Sequence, residues 1–277
     1  MKRTAPMADA EALAKAYAGA AHVRIHGLDR SSAEKLYSRT LSFVTSFAVS
    51  GKLLDVGCGS GWLAYLFALR AFDTHGIDLN PAAFEVSGIP NLSLREGSGA
   101  DIPYADGSFD IVLANTVLEH VPDPETVMSE MCRVTRPGGL LIITGPNLIA
   151  LGPSLKMLFC CWSHRPFHEL FFRHESMPRF PFGSTIPEVF GTLVENIGRW
   201  LCKIGTRHPV YQFRRPDLRP PFHADNDAIY LCNPLDVTRF LTSQGFRILR
   251  DVDLGRPRVT LLLAGGTWVA ARAPERP

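Results

Sequence analysis

The chain has 277 residues and a hydrophobic content of 46 %, ample for a packed core, while a formal net charge of +2 by itself selects no partner. Six cysteines at positions 58, 132, 160, 161, 202 and 232 show no C-x-x-C pair and no regular framework. That excludes a disulfide scaffold and makes reduced thiols in a cytosol-like compartment the expectation, with Cys160 and Cys161 reading as small buried hydrophobes. Residues 1–20 carry Asp9, Glu11 and Lys15 where a signal peptide needs an apolar core, so a cytoplasmic protein is expected.

In chain order, the Ala-rich stretch 8–20 and the stretch 31–48, opened by Ser31 or Ser32 as a cap, predict two helices. Next comes Leu53-Leu54-Asp55-Val56-Gly57-Cys58-Gly59-Ser60-Gly61-Trp62, which reads as a strand, a tight loop and a helix start. Glycines at alternate positions strip side chains from the loop, which permits positive φ and lets a ligand lie against bare backbone. A dinucleotide fingerprint needs G-x-G-x-x-G, and from Gly57 that register puts Trp62 where the third glycine belongs. What remains is D-x-G-x-G-x-G.

His75-Gly76-Ile77-Asp78-Leu79 reads as a second strand ending in an acid, placed where a carboxylate can take both hydroxyls of a ribose. The segment Glu96-Gly97-Ser98-Gly99-Ala100-Asp101-Ile102-Pro103-Tyr104 follows, and Gly107 to Asn115 reads as a turn and the fourth strand. After Val117-Leu118-Glu119-His120-Val121, Asp123 is suited to cap a helix and Pro124 to its first position. Arg136-Pro137-Gly138-Gly139 is expected to stop that helix before a fifth strand over 140–144. Short apolar strands alternating with helices predict an α/β doubly wound parallel sheet, with the ligand at the C-terminal strand ends.

These motifs, in this order, resemble the class I methyltransferases that use S-adenosylmethionine, closely over roughly 50–147 and more loosely over 226–273. The resemblance implies a Rossmann-like, mostly parallel seven-stranded sheet with an α-rich insertion after the fifth strand. It also implies that the loop of Asp55, Gly57, Cys58, Gly59 and Gly61 holds the methionine part of the cofactor, with Asp55 helping to hold its amino group. Asp78, followed by Leu79, matches the ribose-binding acid, and Ser98, Gly99, Asp101 and Ile102 sit where the adenine is gripped. Ser98 replaces an Asp found in many members, which leaves backbone contacts over 99–102 as the expected adenine grip. Asn115, at the end of the fourth strand, completes the implied cofactor set.

The window 148–224 carries ten Lys and Arg against five Asp and Glu, with nine of the 17 Phe and nine of the 21 Pro. It reads as an inserted unit, so the expected organisation is one domain: cap helices over 1–48, a cofactor core over 49–147, a lid or substrate region over 148–224, and the rest of the sheet over 225–277. Residues 148–162 contain one charge, Lys156, but are broken by Gly152 and Pro153 and fall short of the roughly 20 residues needed to span a bilayer. Three roles stay open for this stretch: a lid over a substrate pocket, peripheral membrane contact through 148–179 with Lys156, Arg165, Arg173 and Arg179 facing anionic headgroups, or a dimer surface. Beyond it, Asn233 to Leu241 opens a helix that ends at Gly245, and 246–252 and 259–271 fit two final strands with a turn over 255–258.

Methyl transfer from a sulfonium is an in-line displacement that asks the protein for alignment and, with a hydroxyl acceptor, for a base. His120 follows the fourth strand closely and titrates in the right range, so it is the candidate base; the other reading is that Glu119-His120 only shapes the turn. His223, Asp225, Asp227 and Tyr230 return the chain from the insertion and are the candidate acceptor contacts. His164, His168 and His174 lack a convincing third-ligand pattern and read as part of a basic aromatic surface, so no metal is expected. Asn115-Thr116-Val117-Leu118 lacks the Pro-Pro-Tyr of exocyclic-amine methyltransferases, which disfavours nucleic-acid adenine methylation, and Gly145-Pro146-Asn147 lacks the carboxylate pair of magnesium-dependent enzymes.

The leading expectation is an S-adenosylmethionine-dependent O-methyltransferase of a bulky amphipathic small molecule: a lipid-linked saccharide, a prenylated ring or a natural product. Two alternatives stand beside it. One is a protein or RNA methyltransferase, which the basic insertion with Arg214, Arg215 and Arg219 permits; the other is a non-catalytic cofactor-binding scaffold.

Overall fold

The apolar run after Gly51 becomes strand β1 (Gly51–Val56), whose last four residues are buried, in a computed structural model that describes residues 4–17, 27–155, 186–218, 227–251 and 265–275. β1 takes parallel neighbours on both sides. β2 (Phe72–Asp78) and then β3 (Leu92–Glu96) lie on one flank, and β4 (Phe109–Asn115) and β5 (Thr135–Pro146) on the other. β7 (Gly266–Arg272) pairs antiparallel with β5, and β6 (Arg247–Asp251) antiparallel with β7, giving the order β3-β2-β1-β4-β5-β7-β6. The doubly wound, mostly parallel expectation holds.

Both sheet faces are covered, which is why the central strands read as nearly unbroken apolar runs rather than alternating ones. Leu54, Val56, Val112, Ala114, Leu141 and Ile143 pack on one side with α4 (Pro124–Val134) and with α6 (Pro234–Ser243). Leu53, Ile111, Leu113, Leu140 and Ile142 pack on the other with α2 (Arg30–Thr45) and with α3 (Trp62–Ala68). A short α1 (Met7–Tyr17) precedes them, and α5 (Ile186–Ile204) lies in the insertion between β5 and α6.

Helix starts follow their capping residues. Asp123 accepts from Thr126 N at 3.1 Å, and Asn233 accepts from Asp236 N at 3.1 Å with Pro234 in the first position. The second helix begins one residue earlier than expected, because Asp29 rather than Ser31 or Ser32 is its cap and accepts from Ser32 N at 2.7 Å. Arg136-Pro137-Gly138-Gly139 also differs from expectation: it lies inside β5, not in a turn before it. Thr135 pairs with Phe109 and the ladder resumes at Leu140 with Ile111, so these residues form a bulge that Gly138, at φ +70°, accommodates. Of the expected stretch 259–271 only the part from Gly265 is described, and the expected turn over 255–258 lies outside the described residues.

Candidate active site

Strand order reverses at β1, where the chain proceeds outward through β2 on one side and β4 on the other, and the crevice beyond the C-terminal strand ends opens there. Gly57 and Cys58 both donate backbone N–H to Ile77 O, at 2.8 and 3.0 Å, which stitches the glycine loop to the end of β2. Gly57, Gly59 and Gly61 all have positive φ, but for different neighbours. A Cβ on Gly57 would lie 2.7 Å from Val117 Cγ2, and one on Gly61 2.5 Å from Leu94 Cδ1, whereas one on Gly59 would meet nothing within 4 Å. Two glycines serve packing, and the middle one faces open space.

Two acids close the loop. Asp78 Oδ2 accepts from Gly59 N at 2.8 Å and its Oδ1 from Asn80 N at 3.0 Å, fixing the carboxylate across the loop. Asp55 is 1 % exposed, and its Oδ2 has no hydrogen-bond partner. Burial, aided by the charge of Asp78, pushes the Asp55 carboxyl up to about 8. An orphaned buried carboxylate oxygen beneath an open stretch of backbone suits a ligand bearing an ammonium group, and S-adenosylmethionine carries one on its methionine part.

The adenine-side segment is held by α4. Arg133 donates to Ile102 O and Tyr104 O and pairs with Glu130 and Asp106, while Glu130 Oε2 accepts from Ile102 N at 2.9 Å. Ile102 is 2 % exposed and its N–H is already engaged, so it supports the segment and does not itself offer a donor. Ser98 Oγ accepts from Ala100 N at 3.1 Å and Ser98 O from Asp101 N at 3.2 Å, a local turn that also spends two of the backbone donors expected to grip adenine. Gly99 packs closely on Val56 and Val127, whereas Asp101 and Leu79 are exposed at the crevice. Cys58 is buried, and that burial raises its thiol well above the ordinary range.

The end of β4 carries the candidate base and its surroundings. Asn115 Oδ1 accepts from Thr40 Oγ1 at 3.0 Å and from Thr144 Oγ1 at 2.8 Å, so the side chain ties α2 and β5 together at the crevice. Thr116 has φ +55°, an unusual conformation for a threonine. It turns the chain so that Val117 covers Gly57 and a 3₁₀ turn presents Leu118, Glu119 and His120. His120 Nδ1 lies 3.4 Å from Asp227 Oδ2 and its Nε2 3.7 Å from Glu119 Oε1; both carboxylates are buried and the imidazole is 15 % exposed. The main-chain carbonyl of Glu119 accepts from Ile229 N at 2.8 Å and Tyr230 N at 3.1 Å, which anchors the returning strand of chain beside the histidine.

Asp227 thus meets His120 as a neighbour. Tyr230, also expected at the acceptor, is instead a core residue: it is fully buried and its hydroxyl donates to Asp236 Oδ2 at 3.2 Å. His223 and Asp225 lie outside the described residues, as do Cys160, Cys161, Arg219 and the histidines at 164, 168 and 174. Two contributors escaped the sequence reading. Tyr37 and Thr40 project from α2 into this region, and burial with the charges of Asp55, Cys58 and Glu85 pushes the Tyr37 phenol to about 12. Their spacing on an amphipathic helix marks only a buried side and does not single them out.

Comparison with known proteins agrees with this geometry. Residues 54–143 match the family described as a methyltransferase domain. The chain is 41 % identical over 103 residues to an uncharacterized methyltransferase of Mycobacterium sp. strain JLS, covering 36 % of this chain and 40 % of that protein. It is 42 % identical over 106 residues to one of Mycobacterium leprae, covering 36 % and 38 %. The match therefore spans about two fifths of these relatives. A crystal structure of an S-adenosylmethionine-dependent methyltransferase from Mesorhizobium loti shares the fold, with a TM-score of 0.52 at 16 % identity over 87 % of this chain and 97 % of that one. Residues 54–143 thus match a methyltransferase domain, in a chain that has the fold of S-adenosylmethionine-dependent methyltransferases.

Proposed function

We propose that the whole chain is an O-methyltransferase of a bulky amphipathic small molecule, with His120 as the base. The observation that carries this reading is His120 held at the C-terminal sheet edge between the buried carboxylates of Asp227 and Glu119. The cofactor, when bound, supplies a methyl carbon activated by its sulfonium and leaves as a neutral thioether. Asp55 receives its ammonium group, Asp78 its ribose hydroxyls, and Gly59 leaves room for its chain, while the crevice around Leu79, Gly99 and Asp101 takes the base. With the ring proton on Nδ1 directed to Asp227, Nε2 takes the acceptor's hydroxyl proton as the new carbon–oxygen bond forms, and Glu119 steadies the imidazolium. This scheme is written without a metal, because the acceptor proton goes to His120 and Gly145-Pro146-Asn147, at the end of β5, lacks the carboxylate pair of magnesium-dependent enzymes.

The insertion supports an apolar acceptor. Leu148, Ile149 and Ala150 are buried, with Trp200 of α5 donating to Ile149 O at 2.8 Å, so this part of the insertion packs against the body of the protein. That favours the lid among the three readings of 148–162. Of residues 148–179, for which peripheral membrane contact is one of the three readings, 156–179 lie outside the described residues. Among the described residues no helix is long and apolar enough to cross a membrane.

Purified protein incubated with methyl-labelled cofactor and a membrane extract tests the assignment. Label is expected in the lipid or small-molecule fraction and to be lost with His120→Ala. Label mainly in protein or RNA defeats the acceptor class, and failure of the unmodified protein to bind cofactor in calorimetry, compared with Asp78→Ala, defeats the enzyme.

A further inference from the structure

Asn115 sits where the resemblance places a cofactor contact, yet its acceptor capacity is spent inside the protein. Its Oδ1 accepts from Thr144 Oγ1 of β5 at 2.8 Å and from Thr40 Oγ1 of α2 at 3.0 Å, which fills both lone pairs of an amide oxygen. Asn115 pairs in register with Thr144, and Thr144 with Trp268, so the three form one row across β4, β5 and β7. α2 lies along that row. Arg39 rests over the Trp268 ring at 5.1 Å, and Phe43 packs edge-on against the same ring with centroids 5.4 Å apart.

What the helix covers is Asp55. That residue is 1 % exposed, so an ammonium group reaches its orphaned Oδ2 from solvent only after something is displaced. The glycine loop is badly placed to give way: the N–H groups of Gly57, Cys58 and Gly59 are bonded to Ile77 O and Asp78 Oδ2, and Gly57 and Gly61 pack against Val117 and Leu94. α2 is better placed. Its second half is core, with Leu41, Phe43 and Val44 buried, whereas over 30–37 Ala33 alone is buried and Leu36 is 52 % exposed, so the first half rests on few apolar contacts. Tyr37 lies on that lighter half, and its phenol is raised by burial and then by the nearby charge of Asp55. Tyr37 and Thr40 are one turn apart on one face of the helix, so what holds Thr40 also holds Tyr37.

We propose that Asn115 is a positioning residue, a latch that keeps the first half of α2 seated over Asp55, and that S-adenosylmethionine enters and leaves when the Thr40–Asn115 bond opens. This rests on the reading that Asp55 receives the ammonium group. The strength of the bond suits the task, since one net hydrogen bond shifts an equilibrium by about 2- to 10-fold, enough to favour the seated helix without trapping the ligand. Thr144, bonded to the same oxygen, keeps the amide in place while Thr40 departs.

Rapid-mixing measurements of S-adenosylmethionine binding to the full chain read association and dissociation separately. Thr40→Val, which removes the hydroxyl and keeps the shape, is expected to raise both rates by about 2- to 10-fold while Kd changes less than either, because a weaker latch opens the site more often in both directions. Thr40→Ser, which restores the donor, is expected to keep the parent's rates. Asn115→Ala with Thr40→Val is expected to be no faster than Asn115→Ala alone, and amides over 33–40 to exchange hydrogen faster in each variant that lacks the bond. A direct ligand role for Asn115 gives another pattern: faster dissociation alone in Asn115→Ala and no effect of Thr40→Val. That pattern overturns the latch, and so do unchanged rates in both variants. A parent protein that binds no S-adenosylmethionine defeats the reading of Asp55 and the latch with it, an outcome distinct from binding with unaltered rates.

Discussion

The Oδ2 atom of Asp227, from the far side of the insertion, lies 3.4 Å from Nδ1 of His120 at the end of β4. The two residues act as a unit if the histidine is the base and the aspartate orients it. His120→Ala is expected to lower kcat by about 10²- to 10⁴-fold, the usual worth of a positioned base. Asp227→Asn is expected to lose at least about tenfold, and the double variant to be no slower than His120→Ala alone, since a positioning group has nothing left to position. Cofactor affinity by calorimetry stays unchanged in all three. A double variant in which the two losses multiply means that the residues act separately.

Asp55 gives the cofactor-free protein a distinct pH dependence. Its carboxyl is raised from 3.8 to about 8, so the fold holds a proton that the unfolded chain has already released. This contribution to stability is full below about 3.8 and is lost as pH rises to about 8. Asp55→Asn is therefore expected to melt several degrees above the parent at pH 8, with the difference closing toward pH 4, where both carry an uncharged group. Added S-adenosylmethionine narrows the gap at pH 8 by supplying an ammonium to the parent's carboxylate. Equal melting curves at all pH values would show that Asp55 is ionised at ordinary cost.

The loop glycines separate packing from ligand space. Gly57→Ala places a Cβ 2.7 Å from Val117 Cγ2 at φ +70°, so destabilisation beyond the ~1–2 kcal/mol of left-handed strain is expected, partly relieved by Val117→Ala. Gly59→Ala, at φ +54° with nothing within 4 Å, is expected to suffer only that strain yet to lose cofactor binding, because its side chain enters the space the ligand needs. Chemical denaturation and calorimetry on the same two proteins give both readings. Retained binding in Gly59→Ala moves the cofactor away from that face of the loop.

Lys203 and Asp236 form a fully buried ion pair at 2.5 Å that joins α5 to α6. Lys203 also donates to Val210 O, while Asp236 receives Tyr230, Asn233 and the Val210 N–H. Removing one charge strands the other, so Lys203→Met is expected to cost about 3–5 kcal/mol in denaturant unfolding, and Lys203→Met with Asp236→Asn to cost less than the sum of the two single losses. Burial lowers the lysine's pKa even against the pull of Asp236. Losses that simply add would show that the pair contributes no coupling.

The alternate glycines and the acids at the ends of β1 and β2 are legible because each answers a local rule: positive φ, strand ends and loop length are short-range properties. Asp123 and Asn233 as caps were legible for the same reason. Arg136 to Gly139 were misread because turn residues within a strand look like a turn until the register with Phe109 and Ile111 is fixed by the neighbouring strand. Tyr230 shows the same limit: a polar aromatic in a returning loop could face a ligand or a carboxylate, and only the position of Asp236 decides it.

What the sequence determined by itself, then, is the shape of the glycine loop and the place of Asp78 across it, since the D-x-G-x-G-x-G run and the acid ending β2 carry their geometry in residue type and spacing. The tertiary structure decided the rest. It set Asp227 against His120 and brought Tyr37 and Thr40 down from α2, because these relations join residues far apart in the chain whose separation is fixed only when the sheet and helices pack.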